Sequence, residues 1–291
     1  MRHRPVVTLP AVLVALAISA SAARAVNLVP NPSFETVSPC PTGFGQLNVA
    51  VPWDTPNTGT SDALHACAPS GPFAPGVPFN ALGQQAAFSG VGYAGLIPYS
   101  SAADYREYLY APLTSPLVAA QTYTFSFHVS LADTSMLAID RLGAYFSVGP
   151  IGPYGNYAPL PFTPQVESPA NAFLTNTTGW TTISGSFVAV GGEDHIVIGN
   201  FHDDATTNTT PMPGTWPGGA YYYVDDVTVE IVLPTDQACC LADGSCAVML
   251  PGECQALGGT PGGAGSVCDP SPCGPTPAKR TSWGAVKTIY R

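Results

Sequence analysis

Residues 221–232 read YYYVDDVTVEIV, and this stretch decides the fold of the chain. Large apolar side chains recur with the two-residue period of a β-strand that has one buried face: Tyr223, Val227, Val229 and Ile231. This count places Asp225 on the buried face and Asp226 on the exposed one. Burying a carboxylate is unfavourable unless a cation or several hydrogen-bond donors meet it. The strand therefore predicts a partner for Asp225.

The chain before this stretch predicts more strands of the same kind. The clearest is residues 123–131, where one face carries Tyr123, Phe125, Phe127, Val129 and Leu131. Further strands are predicted at residues 88–97, 105–109, 142–148, 180–190 and 195–201. Residues 27–35 (NLVPNPSFE) predict an extended first segment, either an edge strand or a bent entry strand, because Pro30 and Pro32 hold the chain extended. About eight strands joined by Gly- and Pro-rich turns predict an all-β fold, a jelly-roll or related β-sandwich.

Four segments differ in composition. Residues 1–25 have a basic start, an apolar centre and a small-x-small site, which predicts a signal peptide cleaved after Ala25. Residues 26–234 form the predicted β-sandwich, residues 235–274 a Cys-rich module, and residues 275–291 a linker with a basic, apolar tail. No other segment approaches the roughly 18 apolar residues of a membrane helix. The protein is therefore expected to be secreted or at the cell surface, without a membrane span.

The eight cysteines divide between the two predicted modules. Cys40 and Cys67 belong to the sandwich, and they are the only pair available there. The others crowd into the C-terminal module: Cys239, Cys240, Cys246, Cys254, Cys268 and Cys273. In an exported chain these predict disulfides, and the six allow fifteen pairings. A zinc site is the weaker alternative because no paired C-x2-C spacing occurs.

Acidic residues outnumber basic ones, and the formal net charge is −10. Between residues 26 and 234 the only Arg or Lys residues are Arg106 and Arg141. Such a surface repels nucleic acid and anionic membranes, so neither is an expected partner. A divalent cation suits it.

The order of the sequence pieces resembles the galactose-binding-like superfamily, which includes several carbohydrate-binding modules, and a domain of secreted and surface bacterial proteins. The pieces are NLVPNPSFE, YREYL, SPLVAAQTYTFSFHVSLAD, AIDRLGAYFS, GWTTISGSFVAVGGEDHIVIGNF and YYYVDDVTV. The resemblance covers about residues 27–232. It implies a jelly roll whose first and last strands are adjacent.

The resemblance also implies a structural calcium ion between those two strands. Glu35 and Asp225 would be its side-chain ligands, and backbone carbonyls near Asn31 and Ser33 would complete the shell. Calcium takes six to eight oxygen ligands of these kinds. The alternative is that Glu35 and Asp225 accept hydrogen bonds from backbone donors or pair with Arg106 without a metal ion.

Function is predicted from aromatic residues in loops and at strand edges, because sugars stack their apolar faces on such rings. The candidates are Trp53, Tyr99, Tyr154, Tyr157 and Trp216. The sequence contains no G-x-S-x-G and no Gly-rich phosphate loop. We therefore expect a non-catalytic module that binds carbohydrate or a cell-surface glycan. The alternatives are a structural or adhesive surface protein and, less favoured, a glycoside-active enzyme with paired carboxylates.

Overall fold

The computed structural model describes residues 25–269 and 271–273. The predictions for the signal peptide before Ala25 and for the tail at residues 275–291 fall outside the described residues. The strands are β1 Asp62–His65, β2 Phe79–Asn80, β3 Gly83–Gln84, β4 Gly92–Ser100, β5 Tyr108–Pro112, β6 Thr122–Leu131, β7 Leu137–Ile139, β8 Gly143–Val148, β9 Val166–Glu167, β10 Thr181–Val188, β11 Glu193–Gly199, β12 Thr209–Pro211, β13 Gly219–Ile231, β14 Gln237–Cys240, β15 Cys246–Met249 and β16 Thr260–Pro261. A short helix, α1, spans Pro251–Ala256, and a 3-10 turn spans Leu47–Val49.

Two antiparallel sheets form a jelly-roll β-sandwich, as the sequence predicts. The larger sheet has the order β1-β4-β13-β6-β10, and the smaller one β5-β11-β8-β9. The face of β6 that was predicted to be buried lies in the core between the sheets, where Phe125 packs on Phe127 and Phe146. β13 is the central strand of the larger sheet and pairs with both β4 and β6.

A β-bulge divides β13 into two halves. The pairing with β6 shifts between Asp225 and Thr228, and Asp226 has a positive φ of 49°. The core between the sheets receives Tyr222 and Val224 from the first half and Val227 and Val229 from the second. The prediction that Tyr223 shares a face with Val227 is therefore wrong, because the extra residue of a bulge reverses the alternation.

The first half of β13 instead turns a second set of side chains to the outer face of the larger sheet. Tyr221 and Tyr223 pack there with Leu64, Val77 and Tyr93. Asp225 is on this side too and is fully buried. Both faces of the strand are thus covered before the bulge, which explains its run of buried residues.

Residues 27–35 lie beside β13 but do not form a strand. The backbone N–H of Leu28 donates to the carbonyl of Val229 at 2.9 Å, and Asn27 Nδ2 donates to the carbonyl of Val227 at 2.9 Å. The prediction of an extended strand is wrong because Asn31 and Phe34 have positive φ values of 45° and 55°, which turn the chain. The predicted adjacency of the two ends of the sandwich is confirmed.

The C-terminal module is a three-stranded sheet of order β15-β14-β16 with α1 beside it. Three disulfides hold it: Cys239–Cys254, Cys240–Cys273 and Cys246–Cys268. Cys40 pairs with Cys67 in the sandwich, as predicted. Segments this small rarely fold without such links. Four disulfides fit an extracellular protein, and no helix among the described residues is long and apolar enough to cross a membrane.

Candidate functional site

A cavity of about 250 Å³ opens on the outer face of the larger sheet, beside β1 and β4. It is lined by Phe44, Thr60, Asp62, Ala81, Leu82, Ile97, Glu107, Trp216 and Tyr221. Ligand sites for drug-sized molecules are usually about 300 to 1,000 Å³ and combine apolar walls with a few polar groups. The lining of this cavity has the same mixture of apolar and polar groups. Its volume is below the usual range and suits one small ring.

Tyr221 crosses the sheet to reach the edge strand. Its hydroxyl donates a hydrogen bond of 2.7 Å to Asp62 Oδ2. Gly95 lies between them, because it pairs with Asp62 on one side and Tyr223 on the other. A Cβ atom at Gly95 would come within 1.8 Å of the Tyr221 hydroxyl oxygen. The absence of a side chain at Gly95 therefore makes room for the phenol.

Asp62 is a buried carboxyl group at the base of this cavity. Only 3% of the residue is exposed, and its other oxygen accepts the backbone N–H of Gly45. Burial, and then the nearby negative charge of Glu107, raise the pKa of Asp62 to about 8, while the hydrogen bonds from Tyr221 and Gly45 oppose the rise. Asp62 is therefore largely protonated at neutral pH.

Glu107 is the second buried carboxylate of the cavity, with 1% exposure. One oxygen accepts the backbone N–H and the hydroxyl of Thr60, at 3.0 and 2.9 Å, and the hydroxyl of Tyr105 at 2.7 Å. The other accepts the backbone N–H of Ile97 at 2.8 Å. Four donors hold this carboxylate in place. No ion pair among the described residues involves Asp62 or Glu107.

Two of the predicted aromatic residues belong to this region. Trp216 is half-buried and lines the cavity directly. Tyr157 is 44% exposed and stacks on Tyr105, with 4.8 Å between the ring centres. Because Tyr105 donates to Glu107, the stack connects to the cavity through that carboxylate.

The other predicted aromatic residues lie elsewhere. Trp53 is 1% exposed and packs on Phe34 in the core, with its indole N–H bonded to a backbone carbonyl, so the prediction of an exposed ring is wrong. Tyr99 is half-buried beneath the guanidinium of Arg106, 5.1 Å from its ring centre. Tyr154 packs edge-on against Phe162.

The sequence reasoning missed Asp62 and Glu107. A signal existed for Glu107, which lies between aromatic residues in a segment predicted to be a strand, the same pattern that marked Asp225. Asp62 had no such signal. Its burial depends on Tyr221 and on Gly45, which are distant in sequence.

The predicted calcium ligands Glu35 and Asp225 both bind the loop at residues 88–92. They accept its backbone N–H groups at N···O distances of 2.8 to 3.0 Å, from Phe88, Ser89, Val91 and Gly92. Asp225 also accepts the N–H of Asp226 at 2.7 Å. Burial raises the pKa of Asp225 to about 7, and these backbone donors lower it in part. The carboxylate oxygens are thus directed at N–H donors, which was the alternative to a metal ion.

Backbone carbonyls near Asn31 and Ser33 were the other predicted ligands. The carbonyl oxygen of Asn31 accepts the indole N–H of Trp53 at 2.9 Å. The hydroxyl of Ser33 donates to Asp226 at 3.2 Å and accepts from Ser89 at 2.9 Å. The described residues contain no group of three or more His, Cys, Asp or Glu side chains arranged to hold a metal ion. Calcium binding by Glu35, Asp225 and the carbonyls near Asn31 and Ser33 stays a prediction for a melting experiment.

A second, larger groove of about 370 Å³ lies between β10 and the segment that includes β9. Hydroxyl groups of Thr181, Thr182 and Ser184 line it, with Phe173 as its aromatic residue. Glu167 at its edge is held by Arg141 at 2.8 Å and by His202 at 2.7 Å. The acidic residue of the groove is thus ion-paired, whereas Asp62 and Glu107 of the cavity are not.

No protein-family model and no curated protein matches the chain. Solved structures do resemble it. The Stig cyclase FisC from Fischerella sp. TAU is 14% identical, with a TM-score of 0.44, over 72% of this chain and 98% of that one. The CBM22-1 xylan-binding domain of Paenibacillus barcinonensis Xyn10C is 15% identical, with a TM-score of 0.37, over 73% and 98%. TmCBM61 in complex with β-1,4-galactotriose is 17% identical, with a TM-score of 0.30, over 70% and 97%.

The similar structures thus include carbohydrate-binding modules, the kind of protein that the sequence pieces resemble, and a cyclase. Because all three TM-scores are below 0.5, these structures do not indicate what the chain binds.

Proposed function

We propose that the chain is an extracellular, non-catalytic module that binds a glycan in the cavity formed by Trp216, Tyr221, Asp62 and Glu107. The observation that carries the proposal is the half-buried indole of Trp216 beside two buried carboxyl groups. A sugar ring offers an apolar face for the indole and hydroxyl donors for the carboxyl oxygens. The cavity accommodates one ring, which would be the end or a branch of the glycan.

The bonds of Glu107 favour binding over catalysis. In a glycosidase one carboxyl group protonates the leaving oxygen, and the other acts as a base or a nucleophile. The raised pKa of Asp62 suits an acid. Glu107, however, already accepts four hydrogen bonds, which hold it in place and limit its freedom to reach a substrate. We therefore assign both groups to recognition.

The test is binding of the secreted chain to an array of neutral, amino and acidic oligosaccharides, followed by titration calorimetry with the best one. Trp216→Ala should weaken binding by about thirtyfold, because a central aromatic contact contributes about 2 kcal/mol. Phe73→Ala is the matched control, since Phe73 is 91% exposed and does not line the cavity. It should leave the affinity unchanged.

Three results would replace the proposal. Equal affinities for the wild type and Trp216→Ala would move the site away from the cavity. No retention of any glycan, together with self-association or attachment to cells, would favour the structural or adhesive alternative. Release of new reducing ends from a bound glycan would identify an enzyme.

A further inference from the structure

The walls of the cavity combine aromatic rings with acidic groups. Phe44 is 38% exposed, Trp216 is half-buried, and Tyr221 contributes its phenol. Asp62 and Glu107 supply two carboxyl groups within the same enclosure. Aromatic faces attract cations through their quadrupole, and a carboxylate forms its strongest hydrogen bonds with a cationic donor. The lining therefore favours a positively charged group.

Within residues 25–269 and 271–273, the chain supplies no such group to the cavity. None of the lining residues is Arg, Lys or His. The nearest Arg in sequence, Arg106, donates instead to Asp204 and to the backbone carbonyls of Tyr105 and His202. No cation in the lining therefore offsets the repulsion between Asp62 and Glu107. This repulsion contributes, after burial, to the raised pKa of Asp62. A cationic ligand would relieve it, whereas an acidic sugar would increase it.

We propose that the preferred ligand is an amino sugar with a free ammonium group, a hexosamine unit at a chain end or branch of a glycan. Its apolar face packs on Trp216, its ammonium group donates to Asp62, and the carboxylate of Glu107 attracts the ammonium group from its fixed position in the wall. This proposal rests on the proposed function, and it adds the class of sugar. It predicts the order amino sugar, then neutral or N-acetylated sugar, then uronic acid.

Calorimetry with three oligosaccharides of equal length tests this order: a glucosamine oligomer, its fully N-acetylated counterpart and a glucuronate-containing oligomer. The glucosamine oligomer should bind at least about tenfold more tightly than the N-acetylated one, because a hydrogen bond to a charged group is stronger than a neutral one. Asp62→Asn should remove most of that difference. Glu230→Gln removes a carboxylate from β13 outside the cavity and should preserve it.

A second measurement needs no variant. Glu107 and Tyr221 are the titratable groups that act on Asp62, and Asp62 is mostly protonated near pH 7. At a pH where the free amine and Asp62 both carry their protons, the bound ammonium group favours the ionised form of Asp62, so binding should release close to one proton. Calorimetry in two buffers of different ionisation enthalpy measures that proton. The N-acetylated oligomer should release much less.

The outcomes separate the two proposals. If the glucosamine and N-acetylated oligomers bind equally and Trp216→Ala weakens both, the glycan site stands and the preference for an amino sugar is wrong. If the amino sugar binds best but Asp62→Asn preserves the preference and no proton is released, the charge is recognised elsewhere and the assignment to this cavity is wrong. If no oligosaccharide binds, both proposals are wrong.

Discussion

Replacing Asp62 by Asn should make the stability of the protein much less dependent on pH. The pKa of this carboxyl group rises from 3.8 to about 8 in the folded chain. A raised carboxyl pKa means that the folded state binds the proton more tightly than the unfolded state. The stability that Asp62 contributes is therefore greatest at low pH and is lost as the pH rises from about 4 to about 8.

The magnitude follows from that interval. Each pKa unit corresponds to about 1.4 kcal/mol, so between about pH 5 and about pH 8 the wild type should lose about 4 kcal/mol through this group. Asn has nearly the same shape and cannot ionise. Asp62→Asn should therefore match the wild type below about pH 4 and exceed its stability increasingly up to about pH 8.

Denaturant unfolding at a series of pH values, with the disulfides intact, measures the effect. Glu230→Gln serves as the control and should follow the wild type. Asp225, with a pKa of about 7, should add a smaller fall of the same sign that persists in Asp62→Asn. Parallel curves for the wild type and Asp62→Asn across this range would refute the description of Asp62 as a buried, charge-repelled carboxyl group.

Three further results are expected. Trp53→Ala should lower the free energy of unfolding by about 3–5 kcal/mol, the usual effect of removing a core Trp, and Trp216→Ala should lower it far less; equal losses in denaturant would contradict their placement. Gly95→Ala should displace the Tyr221 phenol, lowering stability by about 1–3 kcal/mol and weakening glycan binding, as thermal melts and calorimetry would show. If Glu35 and Asp225 serve only the loop at residues 88–92, the melting temperature should be the same in chelator and in millimolar calcium; a clear rise in calcium would reinstate the predicted ion.

The strands were predictable because their side chains alternate without interruption. β6 carries five large apolar residues on one face, and nothing in its sequence competes with that pattern. β13 was predicted as a strand for the same reason, but its faces were misassigned before the bulge, where Tyr223 and Asp225 lie on the outer face of the sheet. A bulge depends on how the partner strand aligns, and a two-residue period within one strand contains no information about that.

The site was less predictable because it depends on long-range contacts. Trp53 and Trp216 have equal claims in the sequence, since both lie among loop residues. Packing on Phe34 buries Trp53, whereas Trp216 remains beside a cavity. Asp62 becomes unusual only because Tyr221, 159 residues away, donates to it beside Glu107. Sequence patterns show local periodicity, and they do not show contacts between residues as far apart as Asp62 and Tyr221.

A crystal structure of the chain with its best-bound oligosaccharide would show whether the glycan binds in the cavity beside Trp216. One sugar ring should lie in the cavity and pack on the Trp216 indole. A polar atom of the sugar should lie at hydrogen-bond distance, about 2.7 to 3.2 Å, from Asp62 or Glu107. A sugar bound in the groove between β9 and β10, with no contact to Trp216, would contradict this placement.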